Sequence, residues 1–220
     1  MWGSHLVLSM FVALAGAALP ARACETALLL AVDVSNSVDV AEYRLQADGM
    51  AEAFLDPEVR EAILQGEVML AVMQWSGEAD QEMSIPWTTL RTEAEITAFA
   101  ERARGLRRAF IQSNTAPGDA IAFALGQMGA AAHCTRRIID ISGDGPENAG
   151  RPTAAARREA ERLGVMINAI AIESIGVSTT QYYLRNVVTR AGFVVTARRH
   201  GDYARAIREK IKRELARVTG

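Results

Sequence analysis

The side chains best suited to chemistry follow an apolar run near the start of the sequence. Residues 27–32 are ALLLAV, and Asp33, Ser35 and Ser37 come directly after them. A short continuous apolar run is typical of a buried strand, so this strand would present oxygen atoms where it ends. Carboxylate and hydroxyl oxygens are the ligands that hard divalent cations prefer. The pattern therefore indicates a candidate cation site at the end of this strand.

Three motifs resemble the metal-ion-dependent adhesion site of von Willebrand factor A-like (vWA) domains. The first is the Asp-x-Ser-x-Ser sequence of Asp33, Ser35 and Ser37. In the second, the family has a threonine three residues before a Gly-acidic-Ala-aliphatic helix start, and Thr115 stands at that distance from the sequence GDAI. In the third, an aspartate and a glycine follow the fourth strand. Asp144 matches this aspartate, with Ser-Gly in front of it where the family usually has threonine.

The resemblance implies a metal site built from Asp33, Ser35, Ser37, Thr115 and Asp144. The three hydroxyls would reach the ion directly or through water, and the two carboxylates would supply the compensating charge, often through water. All of these ligands are oxygens, with no His or Cys among them, which favours Mg²⁺ or Mn²⁺. The family typically completes the coordination with an acidic group, so we expect a protein partner that offers a carboxylate to the metal.

Two other functions are compatible with the same residues. An aspartate at a strand end beside Mg²⁺ also occurs in phosphatases that form an aspartyl-phosphate, but these usually carry a second acid two residues on, where Ser35 stands. Each motif alone could also be an ordinary turn with capping hydroxyls, which would leave a metal-free structural domain. Because no general base or nucleophile is visible beside the proposed ion, we expect a binding module and not an enzyme.

The elements that position these residues alternate between strand and helix. Apolar runs predict strands at 27–33, 67–75, 81–90, 136–142, 165–172 and 193–197. Apolar residues at helical spacing predict helices at 39–55, 93–106, 118–132, 153–163, 179–190 and 202–218. In the last helix, an apolar stripe would lie under a cover of Lys and Arg.

This alternation predicts an α/β fold with a doubly wound, mostly parallel central sheet and helices on both faces. Pro86 indicates that strand 81–90 lies at the edge, as an antiparallel hairpin partner of strand 67–75. Such sheets bind ligands at the carboxyl ends of the strands, where the strand order reverses. The loops of Asp33, Thr115 and Asp144 should meet there.

Other charged residues have structural interpretations. Asp39 and Glu42 form a capping box at the start of helix 39–55. Asp140 lies inside strand 136–142, so we expect it to be buried and to support the structure instead of binding metal. The arginines between residues 102 and 108 cluster near the end of helix 93–106, where the helix dipole favours cations.

Residues 1–23 predict a signal peptide. An apolar stretch at 6–19 is followed by Pro20 and by Ala-Arg-Ala at 21–23, a small-x-small cleavage pattern. A transmembrane anchor is the alternative, but the apolar run is short for a bilayer. We therefore expect an exported protein, periplasmic or extracellular, with a single vWA-like domain at 24–220 and no membrane span in the mature chain.

The two cysteines, Cys24 and Cys134, would form a disulfide in an exported protein. Each precedes a predicted strand, and these strands are neighbours in the expected fold. Two free thiols, or a lipid on Cys24, are the alternatives. The formal net charge of −2 provides no basic face of the kind that nucleic acids require.

Within the vWA family, the sequence most resembles a group of secreted bacterial proteins classed as a domain of unknown function. The shared features are Gln-Trp-Ser-Gly at 74–77 and Ser-Gly-Asp-Gly-Pro at 142–146. This resemblance spans essentially all of the chain after residue 23. It implies the fold and leaves the biological process open.

Overall fold

The computed structural model describes residues 24–173 and 178–216. The predicted signal peptide lies outside these residues. The strands are β1 (Thr26–Asp33), β2 (Met69–Trp75), β3 (Gln81–Thr89), β4 (Arg136–Gly143), β5 (Met166–Ile172) and β6 (Val194–Ala197). The helices are α1 (Val40–Leu55), α2 (Pro57–Gly66), α3 (Glu93–Arg104), α4 (Pro117–Gln127), α5 (Thr153–Arg162), α6 (Thr179–Asn186) and α7 (Tyr203–Leu215).

The strands form one sheet in the order β3-β2-β1-β4-β5-β6. All neighbours pair in parallel except β2 and β3, which are antiparallel and place β3 at the edge. From β1 the chain first crosses to β2 on one side and later reaches β4 on the other, so the strand order reverses between β1 and β4. The predicted fold class is confirmed.

Helices cover both faces of the sheet. On one face, Leu28 and Leu30 of β1 belong to a core that includes Phe54 and the buried sides of α1, α2, α3 and α7. On the other, Leu29 packs in a core with Ile121 and with residues of α4, α5 and α6. Because β1 is buried on both faces, its sequence is a continuous apolar run instead of an alternating one.

Two helix predictions need correction. The sequence analysis missed α2, whose start is marked by Asp56, a side chain that accepts hydrogen bonds from the N–H groups of Glu58 and Val59. The predicted helix 179–190 ends at Asn186. Beyond it, Thr189 bonds through its backbone and hydroxyl to Ile167 at 3.2 and 3.0 Å, and these bonds hold the chain against β5.

The predicted capping box and disulfide are both present. Asp39 and Glu42 cap each other's backbone at the start of α1. Cys24 and Cys134 are bonded, with their Cα atoms 4.5 Å apart. The bridge joins the segments that precede β1 and β4, at the edge of the sheet opposite the carboxyl ends of these strands. His133 lies beside the bridge, but both sulfurs are used in the bond and cannot act as thiolate ligands.

No helix in ranges 24–173 and 178–216 combines the length and apolar character needed to cross a membrane.

Candidate metal centre

The carboxyl ends of β1 and β4 bring four of the predicted site residues into direct contact. Asp33 Oδ1 accepts a 2.7 Å hydrogen bond from the backbone N–H of Ser35. The hydroxyl oxygens of Ser35 and Ser37 are 3.1 Å apart. The Ser37 hydroxyl donates to Asp144 Oδ1 at 2.7 Å. These bonds link the loop after β1 to the loop after β4, where the strand order reverses.

Thr115, the fifth predicted residue, enters the same cleft from the loop before α4. Its backbone N–H donates to Asn148 Oδ1 at 2.9 Å, and the Asn148 N–H donates to the Thr115 carbonyl at 3.0 Å. This pair of bonds fixes the Thr115 loop to the loop that carries Asp144. Thr115 therefore shares a cleft with Ser37 and Asp144.

The cleft has a volume of about 570 Å³. Its walls are formed by Ser37, Glu42, Thr115, Asp144, Gly145, Pro146, Asn148, Glu173, Arg199 and His200. A molecule in this cleft would have access to the hydroxyl and carboxylate groups of Ser37, Thr115 and Asp144, which are among its lining residues.

Asp33 lies beneath these residues and is fully buried. Its second carboxylate oxygen, Oδ2, accepts no hydrogen bond of ordinary geometry from any described residue. Burial, followed by the negative charge of Asp144, raises the pKa of Asp33 to about 7, and hydrogen bonds from Ser35 and from the backbone N–H of Asp144 oppose this shift. The ionised carboxylate at this position therefore needs a positive charge that the neighbouring side chains do not supply.

Arg108 holds the loop that carries the two serines, a role that the sequence analysis missed. Its guanidinium donates to the Val34 carbonyl at 3.2 and 2.9 Å and to the Ser35 carbonyl at 2.8 Å. Arg108 lies beyond the end of α3, so the helix-dipole interpretation is wrong for this arginine, although Arg102 and Arg104 do lie in the last turn. No local sequence pattern indicates a contact between residues so far apart.

Gln74 fixes the segment around Arg108 and is itself buried. Its Oε1 accepts from the Ala109 N–H at 3.0 Å, and its Nε2 donates to the Arg107 carbonyl at 2.9 Å. Both bonds flank Arg108 in sequence. Gln74 of the Gln-Trp-Ser-Gly motif thus positions Arg108, which in turn holds the loop of Ser35 and Ser37.

Gly143 lies where two buried polar groups converge. A Cβ atom at this residue would be 2.2 Å from Tyr183 Oη, 2.8 Å from Asp33 Oδ2 and 3.4 Å from the Trp75 ring. Any larger residue would displace Asp33 or Tyr183. The glycine in front of Asp144, the point at which this sequence departs from the usual vWA motif, is therefore required by the packing beneath the site.

His200 and Glu42 also line the cleft, and the sequence analysis did not place either in the site. His200 Nδ1 is 3.0 Å from Glu42 Oε1. The other oxygen of Glu42 accepts from the Asp39 N–H at 2.9 Å. One carboxylate thus caps α1 and also holds the segment before α7 against it.

Asp140 takes no part in this cluster, as the sequence predicted. It is buried within β4, and its Oδ1 lies 2.6 Å from Lys210 Nζ.

A family model described as "Protein of unknown function (DUF1194)" matches residues 23–219. The chain belongs to this family. No curated protein matches the sequence, so DUF1194 membership by itself identifies no activity.

Solved structures show which fold this DUF1194 domain has. Proximal thread matrix protein 1 from the mussel byssus matches with a TM-score of 0.66 and 17% identity, over 87% of this chain and 48% of that one. A second structure of the mussel protein has a zinc-occupied MIDAS motif, and matches with a TM-score of 0.64 and 15% identity over 88% and 46% of the two chains. This chain thus spans about half the length of the mussel protein.

The vWF domain of the type V pili tip protein Mfa5 from Porphyromonas gingivalis matches over nearly its whole length. Its TM-score is 0.61 at 11% identity, over 91% of this chain and 99% of that one. At such low identities the likeness shows the fold alone. The DUF1194 chain has a vWA-like fold, and the solved relatives named here are a matrix protein and a pilus tip protein.

Proposed function

We propose that the domain binds one divalent cation, Mg²⁺ or Mn²⁺, through Asp33, Ser35, Ser37, Thr115 and Asp144, and that the ion recognises a carboxylate of a protein partner outside the cytoplasm. The observation that carries the proposal is the buried carboxylate of Asp33. One of its oxygens has no hydrogen-bond partner among the described residues, and it lies under a cleft whose lining includes Ser37, Thr115 and Asp144.

A buried carboxylate is stable when a cation or several hydrogen bonds compensate its charge. Among the described residues, no ion pair involves Asp33, and the nearest arginine of the loop, Arg108, donates to carbonyl groups instead. A divalent cation bound between the loops after β1 and β4 would supply the missing charge. The donor set fits Mg²⁺ or Mn²⁺ because all its atoms are oxygens.

Each part of the chain has a distinct task in this proposal. Asp33 and Asp144 provide negative charge, and the hydroxyls of Ser35, Ser37 and Thr115 provide neutral ligands. Arg108 and Asn148 fix the loops in place. When bound, the metal would act as a Lewis acid that attracts a carboxylate oxygen arriving through the cleft.

Two further features support a function outside the cytoplasm. The Cys24–Cys134 disulfide is typical of oxidising compartments, and residues 1–23 have the pattern of a signal peptide. The relatives with this fold include a byssus matrix protein and a pilus tip protein. We favour binding over phosphoryl chemistry because Ser35 stands where phosphatases that form an aspartyl-phosphate usually carry the second acid.

A peptide-display selection tests the recognition step. The secreted chain would be immobilised and used to select peptides in Mg²⁺, followed by elution with EDTA. We expect the selected peptides to carry an Asp or Glu whose replacement by Asn or Gln abolishes binding. The Asp144→Asn variant should select none of them, and the Asp48→Asn variant, changed on the surface of α1, should select them all. Peptides that stay bound in EDTA would contradict a metal-mediated contact.

A further inference from the structure

Lys210, Asp140 and Glu214 form a cluster of charged groups inside the core. All three are at most 2% exposed. Lys210 Nζ lies 2.6 Å from Asp140 Oδ1 and 2.5 Å from Glu214 Oε1. The sequence analysis assigned Lys210 to the polar cover of the last helix, and this is wrong, because the side chain points from α7 onto β4 in the middle of the sheet.

The cluster contains one amine and two carboxyl groups, which together carry a net negative charge if all are ionised. Burial strongly opposes this state, because it raises the pKa of Asp140 above its usual range. The positive charge of Lys210 lowers this pKa, and the negative charge of Glu214 raises it. The second oxygens of Asp140 and Glu214 are buried without a hydrogen-bond partner within the described ranges. A neutral cluster, in which Asp140 carries a proton, is the form that this environment favours.

We propose that Lys210 and Asp140 are joined by an isopeptide bond that forms within the folded chain, with Glu214 moving the protons. The amine and the carboxyl group touch, they are held by rigid elements, and a second carboxylate lies within hydrogen-bond distance of the amine. These are the groups required to make an amide from a lysine and an acid without a cofactor.

The reaction balances with the groups present. Glu214 takes a proton from the Lys210 ammonium, and the neutral Nζ attacks Cγ of protonated Asp140, so that an N–C bond forms. A second proton from Nζ, relayed by Glu214, converts the Asp140 hydroxyl into water, and the C–O bond breaks. The products are a neutral amide, one water molecule and a protonated Glu214, so the buried charges of the ammonium and of Glu214 are both removed.

The surroundings favour this chemistry. Contact between the reacting groups replaces a bimolecular encounter, which is worth several orders of magnitude in rate. Glu214 follows Lys210 by one helical turn, and the Asn168 amide donates to Glu214 Oε1 at 2.7 Å, which fixes its carboxylate. The Phe193 ring lies with its centre 5.7 Å from Nζ and shields the cluster. Burial also favours the protonated form of Asp140, the form of the acid that the reaction needs.

The bond would attach α7 covalently to β4, the strand that ends next to Asp144. It would hold the last helix on the sheet independently of the disulfide, which joins the segments before β1 and β4. The proposal does not depend on metal binding.

The intact mass of the secreted wild-type chain tests the proposal directly. After reduction of the disulfide and denaturation, we expect a mass lower by one water molecule than that of the sequence with the same amino terminus. Trypsin should release a branched peptide that joins residues 138–157 to residues 209–212. A full mass, with the linear tryptic peptides 138–157, 209–210 and 211–212, would overturn the proposal and leave an ordinary buried ion pair.

Three variants identify the groups. Lys210→Met should restore the full mass. This result would also show that the missing water does not come from dehydration of the Asp144-Gly145 sequence. Glu214→Gln should leave most of the chain unlinked. Asp140→Asn should lose ammonia instead of water and give the same branched peptide as the wild type. Loss of water that persists in folded Lys210→Met would also contradict the assignment.

Discussion

The hydroxyl of Ser37 donates a 2.7 Å hydrogen bond to a carboxylate oxygen of Asp144, a residue 107 positions further along the chain. The two residues follow β1 and β4, the neighbouring strands between which the strand order reverses. Sheet topology thus brings together two short motifs that are unrelated in sequence position. The two side chains lie close to Asp33, whose carboxylate is fully buried.

Without metal, the free energy of unfolding should decrease as pH rises from about 4 to about 7. In this interval folded Asp33, with its pKa raised to about 7, still holds a proton that the unfolded chain has lost. Its stabilising contribution is therefore complete at low pH and is lost as pH rises through the folded pKa. The effect should reach a few kcal/mol at about 1.4 kcal/mol per unit of pKa. Urea unfolding in EDTA at several pH values measures it.

The Asp33→Asn variant separates this effect from that of Asp140. In chains without the Lys210–Asp140 amide, burial also raises the pKa of Asp140, and its contribution has the same sign. We expect a flatter dependence on pH in the variant, and in the wild type with excess Mg²⁺. Equal slopes for wild type and variant in EDTA would show that Asp33 is not the group responsible.

Substitution of Arg108 should weaken metal binding without unfolding the protein. Arg108→Met removes the donors to the Val34 and Ser35 carbonyls, so the loop loses its fixed path. We expect a loss of about 10-fold to 100-fold in metal affinity, as for other groups that orient ligands. Arg108→Lys should be intermediate, since an ammonium cannot reproduce the guanidinium fork. The exposed Arg102→Met is the matched control, and an equal loss there would refute the assignment.

Gly143→Ala should destabilise the protein, because the new methyl group would lie 2.2 Å from Tyr183 Oη. We expect a cost of about 1–3 kcal/mol, in the range of overpacked cores. Tyr183→Phe removes the atom responsible and should by itself be nearly neutral, since that hydroxyl has no hydrogen-bond partner among the described residues. Denaturant unfolding of both single variants and the double variant should show partial rescue. An additive double variant would contradict the proposed clash.

Removal of the disulfide should lower stability but leave the metal site intact. Cys24 and Cys134 are 110 residues apart in sequence, and opening a loop of this size costs about 2–5 kcal/mol. The bridge lies at the opposite edge of the sheet from Asp33, so the metal affinity of a folded Cys24→Ser/Cys134→Ser variant should equal that of the wild type. A parallel loss of metal affinity would indicate coupling across the sheet.

The sequence was sufficient for features that local patterns encode. The apolar run of β1, the capping box at Asp39 and the edge position marked by Pro86 predicted strands, helices and sheet arrangement correctly. Helix α2 was missed although Asp56 and Pro57 form a recognisable start, so that signal was present and not used.

Contacts between distant residues could not be predicted in this way. Arg108 and Lys210 both lie in charged segments, where single-sequence patterns predict solvent exposure. Their partners are carbonyl groups of the site loop and a carboxylate inside β4, which only the folded chain brings within reach. The unpartnered oxygen of Asp33 is likewise a property of packing and not of sequence.

The most direct test of the metal site is a calorimetric titration of the purified protein with Mg²⁺, Mn²⁺ and Zn²⁺, each with and without acetate as a model carboxylate. We expect one ion per chain, tighter binding with acetate, and no binding by folded Asp33→Asn or Asp144→Asn, while Asp48→Asn binds as the wild type does. Absence of heat and of metal uptake by the folded wild type, even with acetate present, would contradict the metal site and leave the vWA-like fold without its proposed function.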